Sequence, residues 1–596
     1  MSKWCLAVSV IIFIATIATS LDIKNKRRRP TAAYYTFAAG TFLAATAMFI
    51  PIYADQFAHD TGEVFKTLLI SVHNTMRLFV LDGEFDIIKD FAQGIGSGLD
   101  IAFSMYAAIL YVIAPLLTFG VVLSFFKNVA AYRRYIWAFG RDTYIFSELN
   151  EESIALARSI VDNEPSAALV FTDVFTGNDE TSCEQHNTAR SLGGVCFKQD
   201  ILFINWGMHS KKKKLAFFII GKNEDENIVH TKGLVDSYRE RENTSLYLFS
   251  ESTQSEMTVA HLDKGKMRVR RINEARSIVR ENMYTNGTKI FDSALPGEDG
   301  RKEISAVIVG LSDVGKEMLK GLSWLCQMDG YHVTINAFDA DKNAENIFVG
   351  ECPELMSDRI NGQKIPGECE YDIKIHSGVI PGSAEFARIF NEIPMPTYVL
   401  VALTDESQNV KQAVFVRMLL ERRGAKGTLL QAVVRNSLVK EVIGSACNFK
   451  GQAYNIDFIG DVDTTYSEAV ILKSELEAKG LKQHMKYPGS QEDDFWNFEY
   501  NYQSSISLAI HMKMRKHCNI PGADKTDAEL TPEEKNIIER LEHNRWNAYV
   551  RSEGYIYSGS PEKSSRNDLG KMHNDLRPFD DLSEATKRLD SFVGTE

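Results

Sequence analysis

The sequence predicts a membrane-anchored multidomain protein with three N-terminal transmembrane helices, two α/β lobes and a small, mostly helical C-terminal domain. Long uncharged apolar runs occupy much of the first 130 residues. The middle of the chain twice shows a β-branched strand, an amphipathic helix and a second strand that ends in an acidic residue, a pattern typical of a parallel sheet. At 596 residues the chain is too long for one core. We predict domains at 1–130, 141–295, 302–484 and 496–596.

Composition narrows the class of partner and the compartment. A net charge of −12 and a pI near 5.7 argue against a nucleic-acid binder, because such proteins usually carry a basic face. The eight cysteines form no CxxC pair and have no histidines at ligand spacing. We interpret them as reduced thiols of a cytosolic portion and predict no zinc or other metal site.

The apolar runs 4–21, 32–54 and 101–126 are each long enough to cross a membrane as a helix. The loop 55–100 between the second and third runs is acidic. Basic residues lie in the other two loops: Lys24, Lys26, Arg27, Arg28, Arg29, Lys127, Arg133, Arg134 and Arg141. Because basic loops stay in the cytoplasm, we predict a multi-pass protein of the cell (inner) membrane with its N-terminus outside and the bulk of the chain cytoplasmic.

Three alternatives remain open in this region. The first run resembles a cleavable signal peptide ending near residues 18–20, although cleavage would export the basic loop. Residues 64–80 are amphipathic but contain Lys66, His73 and Arg77, so we expect them to lie on the membrane or to cap an oligomer. No selectivity-filter motif or charge ring is present, so the helices serve either a pore or only an anchor.

The first lobe begins with a predicted strand at 143–147, a helix at 153–161 and a strand at 167–173, with further strands at 215–220 and 245–249. Its first turn contains Glu148, Glu151 and Glu152 and no glycine. These carboxylates would put negative charge where a phosphate usually sits. We expect this lobe to have lost dinucleotide binding; the alternative is a cationic or neutral ligand.

The second lobe carries the clearest binding signal. A β-branched strand at 304–309 stops at Gly310, and Gly315 opens an amphipathic helix, a turn that can hold a phosphate. The next strand, 333–338, ends at Asp339, where a carboxylate can meet a ribose hydroxyl. Ser312 replaces the middle glycine of GxGxxG. The alternative is an ordinary strand–helix turn of a parallel-sheet domain.

The later motifs extend this pattern, with strands predicted at 371–376, 397–403 and 429–434. The order GLSDVG, FDAD, VALTDESQN and QAVVRN resembles the RCK/TrkA-N family, the regulatory Rossmann domains of potassium channels and transporters. The first lobe is similar to a degenerate copy, with FIIGKNEDEN matching VALTDESQN. The resemblance covers roughly 143–481 as a tandem pair.

This resemblance implies a nucleotide site in the second lobe. It assigns the phosphates to Gly310, Ser312, Asp313, Val314 and Gly315, the ribose to Asp339, and the adenine side to Asp405 and Asn409. The nucleotide itself stays open between NAD or NADH, ATP or ADP, and a cyclic nucleotide messenger.

A further resemblance lies near the C-terminus, in helical segments at 504–514 and 532–548 and the runs ERLEHNRWNAYVRSEGYIYSG and KMHNDLRPFDDL. These runs resemble the ryanodine-receptor homology (RyR) domain. The resemblance implies a pocket in which aromatic rings stack on a base and cations meet phosphate. Its expected residues are Arg545, Trp546, Tyr555, Tyr557, Lys571, His573 and Arg577. The alternative is that the aromatic residues form a small core.

No hydrolase elbow, HExxH, P-loop lysine or catalytic cysteine setting is present, so we predict no enzyme activity. The resemblances imply a nucleotide-sensing membrane effector, a ligand-gated ion channel or channel-like homo-oligomer (dimer or tetramer), with a role in bacterial antiviral defence. Two alternatives stay open: a regulatory or receptor subunit without its own pore, and a membrane-tethered NAD-dependent or NAD-consuming enzyme.

Overall fold

The structure, a computed structural model, describes residues 2–26, 30–83, 85–95, 99–138, 140–174, 180–208, 210–356, 371–472 and 474–595. Arg27, Arg28 and Arg29 of the predicted basic loop lie outside these residues. The chain divides into two compact units, Met1–Arg133 and Arg134–Glu596. Each unit is described by itself.

The first unit is helical. Its helices are α1 (Ser2–Lys26), α2 (Pro30–Gln56), α3 (Glu63–Phe79), α4 (Asp86–Ile95) and α5 (Leu99–Trp137), the last of which continues into the second unit. Two segments, Tyr34–Ala54 and Leu99–Phe119, are long and apolar enough to cross a membrane. The apolar segment Leu6–Asp22 of α1 is shorter. The prediction of long apolar helices is therefore confirmed for the second and third runs.

Helix α3 buries a polar face and exposes large apolar side chains, the reverse of a helix on the surface of a soluble protein. The small polar side chains of Thr67, Ser71, Asn74 and Thr75 are buried, and the Thr46 hydroxyl of α2 donates to the Thr75 hydroxyl at 3.2 Å. Several large apolar side chains, among them Phe65, Leu68 and Met76, are exposed. An apolar exterior around a partly polar interior is typical of a surface that lipid or another protein covers.

In the second unit, a first lobe contains strands β1 (Thr143–Phe146), β2 (Ala168–Phe171), β3 (Val195–Cys196), β4 (Leu215–Ile219), β5 (Thr244–Phe249) and β6 (Arg268–Ile272). Helices α6 (Glu151–Asn163), α7 (Glu180–Ser191), α8 (Glu224–Tyr238) and α9 (Thr253–His261) connect them. The sheet is parallel, in the order β3-β2-β1-β4-β5-β6. Helix α10 (Glu274–Asp292) leads to the second lobe.

The second lobe contains β7 (Leu295–Pro296), β8 (Lys302–Val309), β9 (Tyr331–Asp339), β10 (Tyr371–Ser377), β11 (Tyr398–Val401), β12 (Leu429–Val433) and β13 (Asp457–Ile459). Its helices are α11 (Asp313–Leu325), α12 (Ala344–Glu351), α13 (Ala384–Glu392), α14 (Glu406–Arg422) and α15 (Ser437–Gly444). The parallel order is β10-β9-β8-β11-β12-β13, with β7 antiparallel to β8. The prediction of two parallel α/β lobes is confirmed.

Strand β8 shows why the sequence folds this way. Ile304, Ala306 and Ile308 point into one apolar core, whereas Val307 and Val309 point into another on the opposite face of the sheet. All five side chains are fully buried. A central parallel strand covered by helices on both faces needs such a continuous apolar run.

The C-terminal part contains α16 (Val462–Thr465), α17 (Glu468–Ile471), α18 (Ser474–His484), α19 (Glu492–Asn497), α20 (Glu499–His517), α21 (Pro532–Ser552) and α22 (Glu584–Gly594). A short parallel pair joins β14 (Ile556–Tyr557) to β15 (Met572–His573). Met514 of α20 and Tyr549 of α21 belong to the same core as Met318 and Leu322 of α11. The C-terminal helices thus extend the core of the second lobe.

A buried ion network joins α20 to α21. The Glu542 carboxylate accepts hydrogen bonds from Arg515 and, at 2.8 Å, from Arg545. All three side chains are at most 1% exposed. Burial alone would raise the pKa of the Glu542 carboxyl, but the two guanidiniums outweigh it and hold that pKa below its usual value. The carboxylate is therefore ionised and is shared by two arginines.

We predict that Glu542→Gln lowers the free energy of unfolding by about 3–5 kcal/mol, because it leaves two buried guanidiniums without a counter-charge. Urea denaturation of the full chain in detergent measures this loss. Glu533 lies exposed in the first turn of the same helix, and Glu533→Gln should change the free energy by less than about 0.5 kcal/mol. Equal effects of the two variants would contradict the role assigned to Glu542.

Candidate functional site

The candidate site lies where the strand order of the second lobe reverses, between β8 and β11. In doubly wound sheets, ligands bind outside the carboxyl ends of the strands at this point. Gly310 ends β8 with φ +98°, and a Cβ there would lie 2.6 Å from the Ala402 carbonyl oxygen. A Cβ on Gly315 would lie 2.1 Å from the Gly310 carbonyl oxygen. The turn therefore requires glycine at both ends.

Between these glycines the chain exposes backbone donors. Ser312 caps α11: its hydroxyl accepts from the Gly315 N–H at 3.5 Å and its carbonyl accepts from the Lys316 N–H at 2.8 Å. Among the described residues, no protein group accepts from the N–H groups of Ser312, Asp313 and Val314. Three open amides at the start of a 13-residue helix are suited to an anion.

The predicted ribose and adenine residues have structural partners. The Asp339 carboxylate accepts from the Leu311 and Asp341 N–H groups, each at 2.8 Å, and so holds the turn. The Asp405 carboxylate caps α14. The Asn409 amide, 1% exposed, accepts from the Leu403 N–H at 2.6 Å. The Asn409 amide is thus engaged with backbone groups, and its role toward adenine stays a prediction.

The equivalent crevice of the first lobe is crossed by side chains. The Ser147 hydroxyl accepts from the Ile220 N–H at 3.0 Å, and the Asn150 amide donates to the Ile220 carbonyl at 2.8 Å. The Glu148 carboxylate accepts from the Lys222 N–H at 3.0 Å. In the second lobe, by contrast, no described side-chain hydrogen bond joins the 310–315 turn to the end of β11.

The edge of the first lobe is also acidic. Burial, reinforced by Asp200 and Glu148, raises the pKa of the Asp173 carboxyl to about 6. Burial likewise raises the pKa of Glu148. The expectation that this lobe has lost dinucleotide binding stays a prediction.

A scan against protein-family models and a search of curated protein sequences found no match to this chain.

The residues expected to form a C-terminal ligand pocket fall into two groups. Arg545 is fully buried and bonded to Glu542 and Ser507, and its role toward a ligand phosphate stays a prediction. The Trp546 and His573 rings pack edge to face with centroids 4.9 Å apart, and the Tyr555 ring lies 5.9 Å from the Tyr500 ring. These rings form a mutual aromatic cluster.

The remaining expected residues of this region lie at the margin of that cluster. The Tyr557 N–H donates to Glu354 at 2.8 Å, and the Lys571 ammonium donates to the Glu553 carbonyl at 2.7 Å. The Arg577 guanidinium lies 3.8 Å from Asp575. These three residues are therefore engaged with protein groups, and their role toward a ligand stays a prediction.

Sequence reasoning missed a group of arginines on β6 and α10. They come from the run RVRRINEARSIVR, residues 268–280. The signal available in the sequence was the spacing of these arginines. They alternate in a short strand and are then four residues apart in a helix. The structure places Arg270, Arg271, Arg276 and Arg280 around one cavity.

We predict that stability falls between pH 6.5 and pH 4 partly because of His573. Burial lowers the pKa of His573 to about 4. Below pH 6.5 the unfolded chain binds a proton at this histidine that the folded chain does not bind. The group therefore lowers the free energy of unfolding by up to about 1.4 kcal/mol per pH unit. His573→Gln should flatten the curve of unfolding free energy against pH. His261→Gln, at an exposed position, should leave the curve unchanged; a curve unaltered by His573→Gln would contradict this assignment.

Proposed function

We propose that this protein is a nucleotide-sensing membrane effector whose ligand binds at the glycine turn of the second lobe. One observation carries the proposal: Gly310 and Gly315 bracket three open backbone amides at the β8–β11 switch point. Amides at the start of a helix bind phosphate without any specific side chain. This is the form of recognition that the RCK/TrkA-N resemblance implies.

The charges near the turn narrow the class of phosphate. Asp313 lies in the first turn of α11, and Asp339 bonds directly to the turn. Two carboxylates disfavour a terminal phosphate with two negative charges more than a diester phosphate with one. We therefore favour ligands with internal phosphodiester or diphosphate groups, namely dinucleotides and cyclic nucleotides, over ATP.

The helical unit supplies the membrane part of the proposal. Tyr34–Ala54 and Leu99–Phe119 are long enough to span, and we propose α1 as a third spanning helix. Exposed apolar side chains on α3 extend the lipid-facing surface. The charge pattern of the loops supports the proposal that the second unit lies in the cytoplasm. Three spanning helices cannot enclose a pore alone, so we propose a homo-oligomeric, ligand-gated channel.

We predict that Gly315→Asp weakens nucleotide binding at least about tenfold, because a Cβ and a carboxylate would enter the phosphate turn. Calorimetry with NAD, ATP and cyclic dinucleotides on the full chain in detergent measures the dissociation constants. Gly350→Asp is the matched control, because a Cβ at Gly350 in α12 meets no atom within 4 Å. Equal dissociation constants for the two variants would remove the turn from the site.

Ion flux tests the channel proposal. When nucleotide is added to liposomes that contain the pure protein, the fluorescence of a trapped ion-sensitive dye should change as ions enter. Liposomes with the Gly315→Asp protein should not respond. Nucleotide binding without flux would favour the regulatory or receptor subunit. Consumption of added NAD would instead favour the membrane-tethered enzyme.

A further inference from the structure

A cavity lies where the first lobe, α10 and the C-terminal helices meet. Four arginines line it: Arg270 and Arg271 at the end of β6, and Arg276 and Arg280 on α10. Tyr502, Gln503 and Ile506 of α20 form the facing wall, and Glu281 is the carboxylate among the lining residues. The space open to the centres of water molecules is about 60 Å³, several times the roughly 10–15 Å³ that one water needs.

Three of the four guanidiniums have carboxylate partners. Arg270 pairs with Glu477 and Arg271 with Glu499. Arg276 lies 3.0 Å from Glu317 and 3.2 Å from Glu553. These pairs neutralise most of the positive charge that β6 and α10 bring to the cavity.

Arg280 differs from the other three. Within the described part of the chain, its hydrogen-bond acceptor is the neutral amide oxygen of Gln503. Burial lowers the pKa of Arg280, with Arg276 adding to the same direction. In addition, the Nε of Arg270 is buried without an acceptor. Glu553 and Glu317 act on Arg280 through space, but no described carboxylate forms an ion pair with it. A desolvated guanidinium without a bonded anion is unfavourable.

We propose that the cavity binds the phosphate group of a small molecule, with Arg280 and Arg270 as its ligands. A guanidinium presents two parallel N–H donors that match two phosphate oxygens. The cavity is large enough for one such group, and the Tyr502 ring, 4.6 Å from the Arg270 guanidinium, closes one side. The source is either a free phosphate or a phosphate of a larger nucleotide, because both present the same chemistry.

This site does not depend on the glycine turn. None of its lining residues belongs to the 310–315 turn. Its walls come from β6, α10 and α20, so an anion there would hold the C-terminal helices against the first lobe. The turn, in contrast, lies within the second lobe.

The test measures the binding of inorganic phosphate, pyrophosphate and adenosine nucleotides to the full chain in detergent by calorimetry. Wild-type protein should bind pyrophosphate, and Arg280→Gln should weaken this binding at least tenfold. Arg388→Gln should not, since Arg388 lies exposed in α13 beside Glu392. Gly315→Asp should also leave pyrophosphate binding unchanged, which separates this site from the turn. Tighter binding of adenosine nucleotides than of pyrophosphate would identify a nucleotide as the source.

A second variant keeps the test independent of misfolding. Gln503→Glu supplies Arg280 with an internal carboxylate that competes with the ligand. It should raise the melting temperature of the free protein and weaken pyrophosphate binding. A purely structural Arg280 would instead give a lower melting temperature for Arg280→Gln and no effect of Gln503→Glu on binding. Absence of saturable pyrophosphate binding to the wild type, or equal binding by Arg280→Gln, would overturn the proposal.

Discussion

Charge pairs around α10 join the two lobes and the C-terminal helices. Arg276 of α10 bonds to Glu317 of α11 and to Glu553 after α21. Arg435, at the end of β12, bonds to Glu152 of the first lobe and to Glu274 of α10. The Arg276 side chain is 16% exposed, so separating it from its carboxylates would leave a poorly hydrated charge, whereas the partly exposed Arg435 pairs contribute less. The charge pattern therefore favours a single arrangement of the elements of the second unit.

The opposite side of α10 contributes apolar contacts to the same arrangement. Ile278, Val279 and Met283 belong to the core that also contains Met318 of α11 and Met514 of α20. One helix thus contributes both charged and apolar contacts to the second lobe and the C-terminal helices. Because both kinds of contact come from α10, loss of either one would loosen the other.

The sequence was informative where structure is local. A β-branched run predicted β8, strands were also predicted at the positions of β9 and β12, and the glycine spacing predicted the turn before α11. Strand β6 was missed because three of its five residues are arginine. Strand β13 was missed because three residues are too short to show a period.

The candidate sites show the same division between local and distant information. The Asn409 amide also donates to the Val433 carbonyl, 24 residues away, and Arg545 bonds to Ser507, 38 residues away. A motif shows which residue types are present but not which distant groups occupy them. The protein partners of Asn409 and Arg545 could not be predicted for this reason, whereas the backbone amides of the turn depend only on neighbouring residues.

The position of a site decides whether its ligand can act as a switch. A ligand shifts an equilibrium only by the difference in its affinity for the two states. An anion at the glycine turn touches one sheet and one helix, and both of them belong to the second lobe. An anion among Arg270, Arg280 and Tyr502 touches elements of the first lobe, α10 and α20. Since only an intact junction presents all of these groups together, binding there would stabilise the joined state and disfavour any state in which the junction opens.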